Sequence, residues 1–306
     1  MTTELSIDAL LPPAMASRAE NIGLVKARLG IRRMFALAVL AGAFIAMGAI
    51  FATTVGAGGI AVRAADGTLT FSTGLPYGVV RLLTGLVFTL GLILVIVGGS
   101  ELFTGNNLIV MAFASGKVGL GQLLRNWTVV YVGNFVGSIA TAFVVFLSKQ
   151  YTFGGGAIGL NVLAIGEAKT SLEFVQAIAL GVLCNALVCL AVWLCFSARS
   201  TTDRILSIIP PIAAFVAAGF EHSIANMYFI PVALFVKQWG EPAFFQTIGR
   251  TAADFPHLTW GGFFVSNLIP VTIGNIIGGA VMVGLVYWFI YLRSPKSPAA
   301  TLVAKD

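Results

Sequence analysis

Two apolar stretches, each reading as a membrane span, are interrupted by one shared pattern, Gly-x-Glu-x-x-x-x-Asn: Gly99, Glu101 and Asn106 in the first, Gly219, Glu221 and Asn226 in the second. An ionisable side chain in hydrocarbon costs at least about 2.5 kcal/mol, so acids at membrane depth face a protein interior or a permeation path rather than lipid. The duplication restricts the chain to folds with a duplicated interior. His222, directly after the second glutamate and one of only two histidines, adds a group able to carry a proton.

With 58% hydrophobic and 10% charged residues over 306 positions, and a mean hydropathy of +0.95, the chain cannot clothe a soluble core in polar surface. It reads as an all-α, polytopic membrane protein. Six apolar segments, at roughly 33–56, 76–115, 121–148, 170–198, 205–238 and 262–293, take up most of the length and leave no room for a second domain. The net charge of +6 invites a nucleic-acid partner, but its distribution follows topology instead. With both termini on one side, twelve Lys and Arg fall there, Arg18, Lys26, Arg199 and Arg204 among them, against six on the other: Arg63, Arg81, Lys149, Lys169, Lys237 and Arg250. The positive-inside rule then predicts cytoplasmic termini and a bacterial inner membrane.

The first residues carry Glu4, Asp8 and Glu20 and no apolar core, so no signal peptide is expected there. Pro12-Pro13 can open a helix to Gly30 with Met15, Ile22 and Val25 on an apolar side, an amphipathic cytoplasmic helix. The expected organisation is therefore that helix in 1–30, a six-span pore domain in 31–294 and a cytoplasmic tail in 295–306. Cys184, Cys189 and Cys195 share the fourth span, where thiols pack as small apolar residues rather than form a disulfide framework.

A second pattern follows each broken span: Asn126, Val130, Gly133, Asn134 and Gly137 match Asn267, Val271, Gly274, Asn275 and Gly278 at identical spacing. Two homologous halves of three spans each result, about 31–149 and 170–293. Because three is odd, the second half enters the membrane from the opposite side, an inverted repeat. An unbroken helix over 205–238 would run about 51 Å at 1.5 Å per residue, against a hydrocarbon core of about 30 Å. Each motif is thus expected to split its span into half-helices whose N-termini turn partial positive charge inward. Gly133, Gly137, Gly274 and Gly278 suit close helix approach, and Asn134 and Asn275 suit hydrogen bonding to broken backbone. Glu101 and Glu221 are expected to pin the breaks by accepting backbone N–H bonds, because a fixed negative charge on the path would repel an anion.

These residues resemble the formate/nitrite transporter family. The likeness rests on Gly99-Ser100-Glu101-Leu102-Phe103-Thr104, on Gly219-Phe220-Glu221-His222-Ser223-Ile224-Ala225-Asn226 and on Asn267 through Asn275, and it runs from Leu10 to Arg293. Within the family, the N-terminal segment and Asn185 to Ser200 look most like the formate channels. The resemblance implies an aquaporin-like six-span bundle with broken second and fifth spans, assembled as a homopentamer, passing small monocarboxylates and related anions. It also implies positions: Thr104 in the loop of the second span, His222 as the central histidine, and Asn185 in the same hydrogen-bond network. Phe88, Leu92, Leu102, Phe103, Phe215 and Val188 fall at two apolar constrictions, and Lys169 at the outer vestibule as a vestibule charge. The helix up to Gly30 matches a segment tied to gating at low pH.

The mechanism this suggests is that Lys169 and the half-helix dipoles attract a weak-acid anion, which crosses the dry constriction as the neutral acid, its proton coming from His222 or from bulk water through it. A bare carboxylate there is heavily penalised, and too strong a site would trap the ion. A nitrite or hydrosulfide channel of the same family is the first alternative. An ammonium channel calls for facing histidines, yet His257 lies in an outer loop, and a neutral-solute pore calls for twin Asn-Pro-Ala motifs that the sequence lacks. No His-Glu-x-x-His or Gly-x-Ser-x-Gly motif supports an intramembrane enzyme, metal site or cofactor. The halves differ where chemistry is expected: Leu102 stands opposite His222 in the alignment, and Thr104 opposite Ile224.

Overall fold

The computed structural model describes residues 9–59, 62–63, 66–71 and 74–293; the expected tail, 295–306, lies outside them. Proline at the first helical position fixes φ where no backbone donor is needed and starts α1 (Pro12–Ala27). The spans follow as α2 (Ile31–Gly56), α3 (Tyr77–Gly98), α4 (Phe103–Ala114) and α5 (Leu120–Leu147). After α6 (Ala157–Thr170) come α7 (Phe174–Ser197), α8 (Thr201–Ala218) and α9 (Ser223–Trp239). A short α10 (Pro242–Ile248) leads to α11 (Gly262–Tyr291), which is wound in wider π turns over Gly262–Leu268 and Ile277–Leu285. A small antiparallel hairpin, β1 (Val62–Arg63) with β2 (Leu69–Phe71), joins α2 to α3. Among the described residues, six helices are long and apolar enough to cross a membrane: α2, α3, α5, α7, α8 and α11.

Both motifs break their spans by the same backbone device. Gly99 and Gly219 each take φ of 79°, a left-handed conformation that only glycine adopts without penalty. Ser100 N–H then donates back to Val95 O at 2.9 Å and Phe220 N–H to Phe215 O at 3.0 Å, the closure that satisfies a helix's last carbonyls. The breaks are not level with each other. Gly99 lines a cavity on the α1 side of the molecule and Gly219 a cavity on the opposite side. At 1.5 Å per residue the 22 residues of α3 already extend about 33 Å. Each break therefore sits towards the far end of its first helix, and the second helix turns back inward.

The repeat reaches further than the sequence pattern. α1 and α6 hold equivalent places ahead of α2 and α7: Lys26 near the end of α1 and Lys169 near the end of α6 each reach the glutamate of their own half. The expected apolar side of α1 is only partly used. Met15 is 5% exposed and Val25 is 65% exposed, because the helix beds down on Ala16, Ala19, Gly23 and Ala27, small residues that let it lie close to Ile109 and Ala112 of α4. α1 is also fastened at its ends. Arg18 donates to Phe196 O at 2.8 Å, Ser197 Oγ to Leu10 O at 2.9 Å, and Arg125 to Ala27 O at 2.6 Å.

Helices α2 and α5 pack together in the first half as α7 and α11 do in the second. Gly137 and Gly278 lie at those crossings, where a Cβ would overlap Val39 O and Val182 O respectively. The three cysteines are free and buried. Replacing Gly137 or Gly278 by alanine is expected to force each helix pair apart at a cost of about 1–3 kcal/mol, read as a lowered Tm of the detergent-solubilised protein; an unchanged Tm for both would contradict the crossing geometry.

Candidate functional site

Each break is held by five side chains arranged alike in the two halves. In the first, Glu101 accepts from Lys26 Nζ at 2.8 Å and from Asn106 Nδ2 at 2.7 Å, and Asn106 Nδ2 also donates to Asn126 Oδ1 at 2.9 Å. In the second, Glu221 accepts from Lys169 Nζ at 2.7 Å, from Asn226 Nδ2 at 2.7 Å and from Asn267 Nδ2 at 3.1 Å. Asn134 Oδ1 receives Phe103 N–H at 2.9 Å while its Nδ2 donates to Ala38 O and Glu101 O; Asn275 does the same for Ser223 N–H, Gly181 O and Glu221 O. The carboxylates are thus held by lysine and asparagine side chains, and not by backbone N–H groups as expected. Burying a carboxylate is tolerable only when it is paired and its remaining lone pairs are hydrogen-bonded, and both conditions are met here.

The two cavities approach each other from opposite faces. The one on the α1 side, about 290 Å³, is bounded inward by Leu92 and Leu102. The opposite one, about 670 Å³, ends at Phe88, Phe215 and His222. Phe88 and Phe215 meet edge to face with centroids 5.7 Å apart, and the Phe215 ring stacks on the His222 imidazole at 5.9 Å. Between the cavities His222 Nε2 lies 3.0 Å from Thr104 Oγ1, a contact made across the two halves. His222 also caps α9: its Nδ1 accepts the Ala225 N–H at 3.1 Å. With Nδ1 committed as an acceptor, the neutral ring carries its proton on Nε2, which faces the threonine.

Thr104 and His222 are each at most 3% exposed, and Leu92, Leu102, Phe88 and Phe215 surround them as a dry collar. Asn185 is buried beside this contact without touching the histidine: its Nδ2 donates to Asn275 O at 2.7 Å, Asn107 Oδ1 at 2.9 Å and Thr104 O at 3.3 Å. Val188 is buried in α7 and borders neither cavity. Phe103 departs from its expected place at a constriction. Its ring sits against Tyr131 (4.9 Å) and Trp127 (6.1 Å), directed into α5, and lines neither cavity. Lys169 does border the opposite cavity, but as the partner of Glu221, with its ammonium 5.5 Å over the Phe229 ring. His257 is on the surface and pairs with Glu167 at 2.8 Å.

Sequence reasoning passed over Lys26. A signal was present, since Lys26 precedes Leu37 by the same eleven residues as Lys169 precedes Leu180, and the carbonyls of Leu37 and Leu180 receive the N–H groups of Glu101 and Glu221. Asn107, which anchors Asn185, also went unnoticed, for it has no counterpart in the second motif.

A six-span bundle with mirrored cavities converging on one buried polar contact is the architecture of a membrane transporter. The formate/nitrite transporter family profile matches residues 13–289. The formate channel FocA of Escherichia coli (strain K12) is 45% identical over 293 residues, covering 96% of this chain and 98% of the relative, and FocA of Haemophilus influenzae is 41% identical over 92% and 95%. A solved pentameric formate channel with formate bound superposes with a TM-score of 0.78 at 47% identity, over 86% of this chain and 98% of that one. The chain belongs to the formate/nitrite transporter family.

Removing one member of a buried ion pair leaves an uncompensated charge and costs about 3–5 kcal/mol. Lys26→Met and Lys169→Met are therefore each expected to lower the Tm of the purified protein strongly, and each should be substantially rescued by Glu101→Gln or Glu221→Gln respectively. Absence of rescue in either half would contradict the pairing.

Proposed function

We propose that the protein passes formate and related small monovalent anions, or their acids, across the bacterial inner membrane, with cytoplasmic termini and as a homopentamer. The single observation that carries this reading is the Thr104–His222 contact, among the described residues the one polar pair between the ends of two cavities that are otherwise closed by apolar side chains. The full-length likeness to proteins named as formate channels supports the choice of formate. Exposed apolar residues on the flanks of the bundle, such as Val144, Val265 and Val281, give surface for lipid and for neighbouring protomers.

The anion enters a cavity, loses water against the apolar collar and meets two donors, the Thr104 hydroxyl and His222 Nε2–H. Both suit a carboxylate oxygen, and neither is a fixed charge that would hold it. While Nδ1 accepts the Ala225 N–H, the neutral ring offers the anion only its Nε2–H, and losing that sole proton would leave an imidazolate. A hydronium proton from a cavity first adds to Nδ1, which releases the Ala225 N–H; the imidazolium so formed passes its Nε2 proton to formate and is left as a neutral ring, and the resulting acid meets a low barrier in the collar of Leu92, Leu102, Phe88 and Phe215. Nε2 then takes the next proton from hydronium in a cavity, which leaves as water. Nitrite fits the same donors, and substrate flux comparisons rank it against formate and hydrosulfide.

Asparagine is a good helix cap and does not titrate, so His222→Asn keeps the start of α9 while removing the proton. In proteoliposomes under an inward proton gradient, wild type is expected to accumulate formate and His222→Asn to lose that coupled uptake. Equal coupled uptake by the two would overturn the role of His222. Thr104→Val is expected to slow formate flux about tenfold, the scale of one lost hydrogen bond of about 1.4 kcal/mol. Native mass spectrometry is expected to show five copies.

A further inference from the structure

We propose that Arg81, and not Lys169, supplies the net positive charge that draws the permeant anion into the cavity opposite α1. The inference rests on the transport reading above and names the residue that recruits the substrate on that side. Among the described residues, the fixed charges lining this cavity are Arg81, Lys169 and Glu221. Lys169 and Glu221 lie 2.7 Å apart with side chains only 16% and 6% exposed. At that separation the two charges act as a dipole, and its field falls off faster with distance than that of a single charge. A carboxylate approaching through the mouth meets their opposing contributions together.

Arg81 is different in kind. Its guanidinium is half-buried and donates to carbonyls: Nε to Ala217 O at 3.0 Å and Nη2 to Val216 O. Gly219 makes room for it, since a Cβ there would stand 3.3 Å from Nη2. These carbonyls end α8 and carry about −0.5 of an elementary charge, but α9 begins after an interval of four residues and its N-terminus offers about +0.5. The two helix ends offset each other across the break, so the arginine's own charge remains as the monopole of the cavity. Charge at the wall of a narrow, low-dielectric cleft concentrates counter-ions and raises association rates in a salt-dependent way, and at physiological ionic strength it acts over about 8 Å.

Arg81 also braces the end of α8, so the test must separate charge from capping. Formate flux into proteoliposomes is measured at low formate concentration across a series of ionic strengths, with formate offered to either face. Arg81→Gln is expected to lower flux from the face opposite α1 by roughly three- to tenfold at low salt and to flatten its salt dependence, with a smaller effect from the α1 face. Arg81→Lys, which keeps the charge and loses the fork, is expected to retain the salt dependence. The double variant Lys169→Met/Glu221→Gln, which removes a neutral pair, is expected to retain it as well, whatever its absolute rate. The proposal is overturned if Arg81→Gln, eluting as the wild-type oligomer, keeps the wild-type salt dependence, or if Lys169→Met/Glu221→Gln abolishes it. Wild-type protein that carries no formate would instead overturn the transport reading itself.

Discussion

Everything else in this structure depends on keeping two buried carboxylates paired and satisfied inside the protein. Glu101 and Glu221 each stand beside a helix that has just ended, where carbonyls and N–H groups have lost their partners. Each is neutralised by one lysine and steadied by asparagine amides. The asparagines at 134 and 275 complete the work, because one amide can accept a stray N–H and donate to two stray carbonyls. Irregular backbone survives away from water only when such needs are met inside the protein. The lysines reach in from α1 and α6, so those helices belong to the breaks as firmly as the spans do.

The frame leaves the middle of the passage uncharged. The charges sit at the ends, in the walls of the two cavities, while among the described residues the constriction between them has only a hydroxyl and an imidazole to offer a polar guest. That division suits a small ion which must be attracted at the mouth, dehydrated in the neck and not retained. It also explains why His222 can serve two purposes at once. One ring nitrogen finishes a helix and the other faces the path, so the orientation of the ring is set by the fold.

Much of the architecture was legible in the sequence because inverted duplication writes itself as spacing. The broken spans, the matched glycines and asparagines and the odd histidine all stand out as pattern. What escaped was whatever depended on reach. Lys26 lies in a polar segment far from Glu101 along the chain, and no periodicity of the spans includes it. Phe103 lies inside the motif, but it opens α4 while Leu102 before it is still extended, at φ −109° and ψ 125°, and this change of backbone sends the Phe103 ring into α5 while Leu102 borders the cavity. α6 carries too few residues to announce itself as a span, although it is a full member of the repeat.

The positions of the Thr104–His222 pair have counterparts by symmetry, for the pseudo-twofold relation between the halves exchanges them with Ile224 and Leu102. One pair hydrogen-bonds and the other is purely aliphatic. The aperture is therefore two-faced, wettable on one flank and greasy on the other, and a guest passing through it does best by being so itself. Formic acid, with oxygens at one end and a bare C–H at the other, is about the smallest molecule that answers to that description.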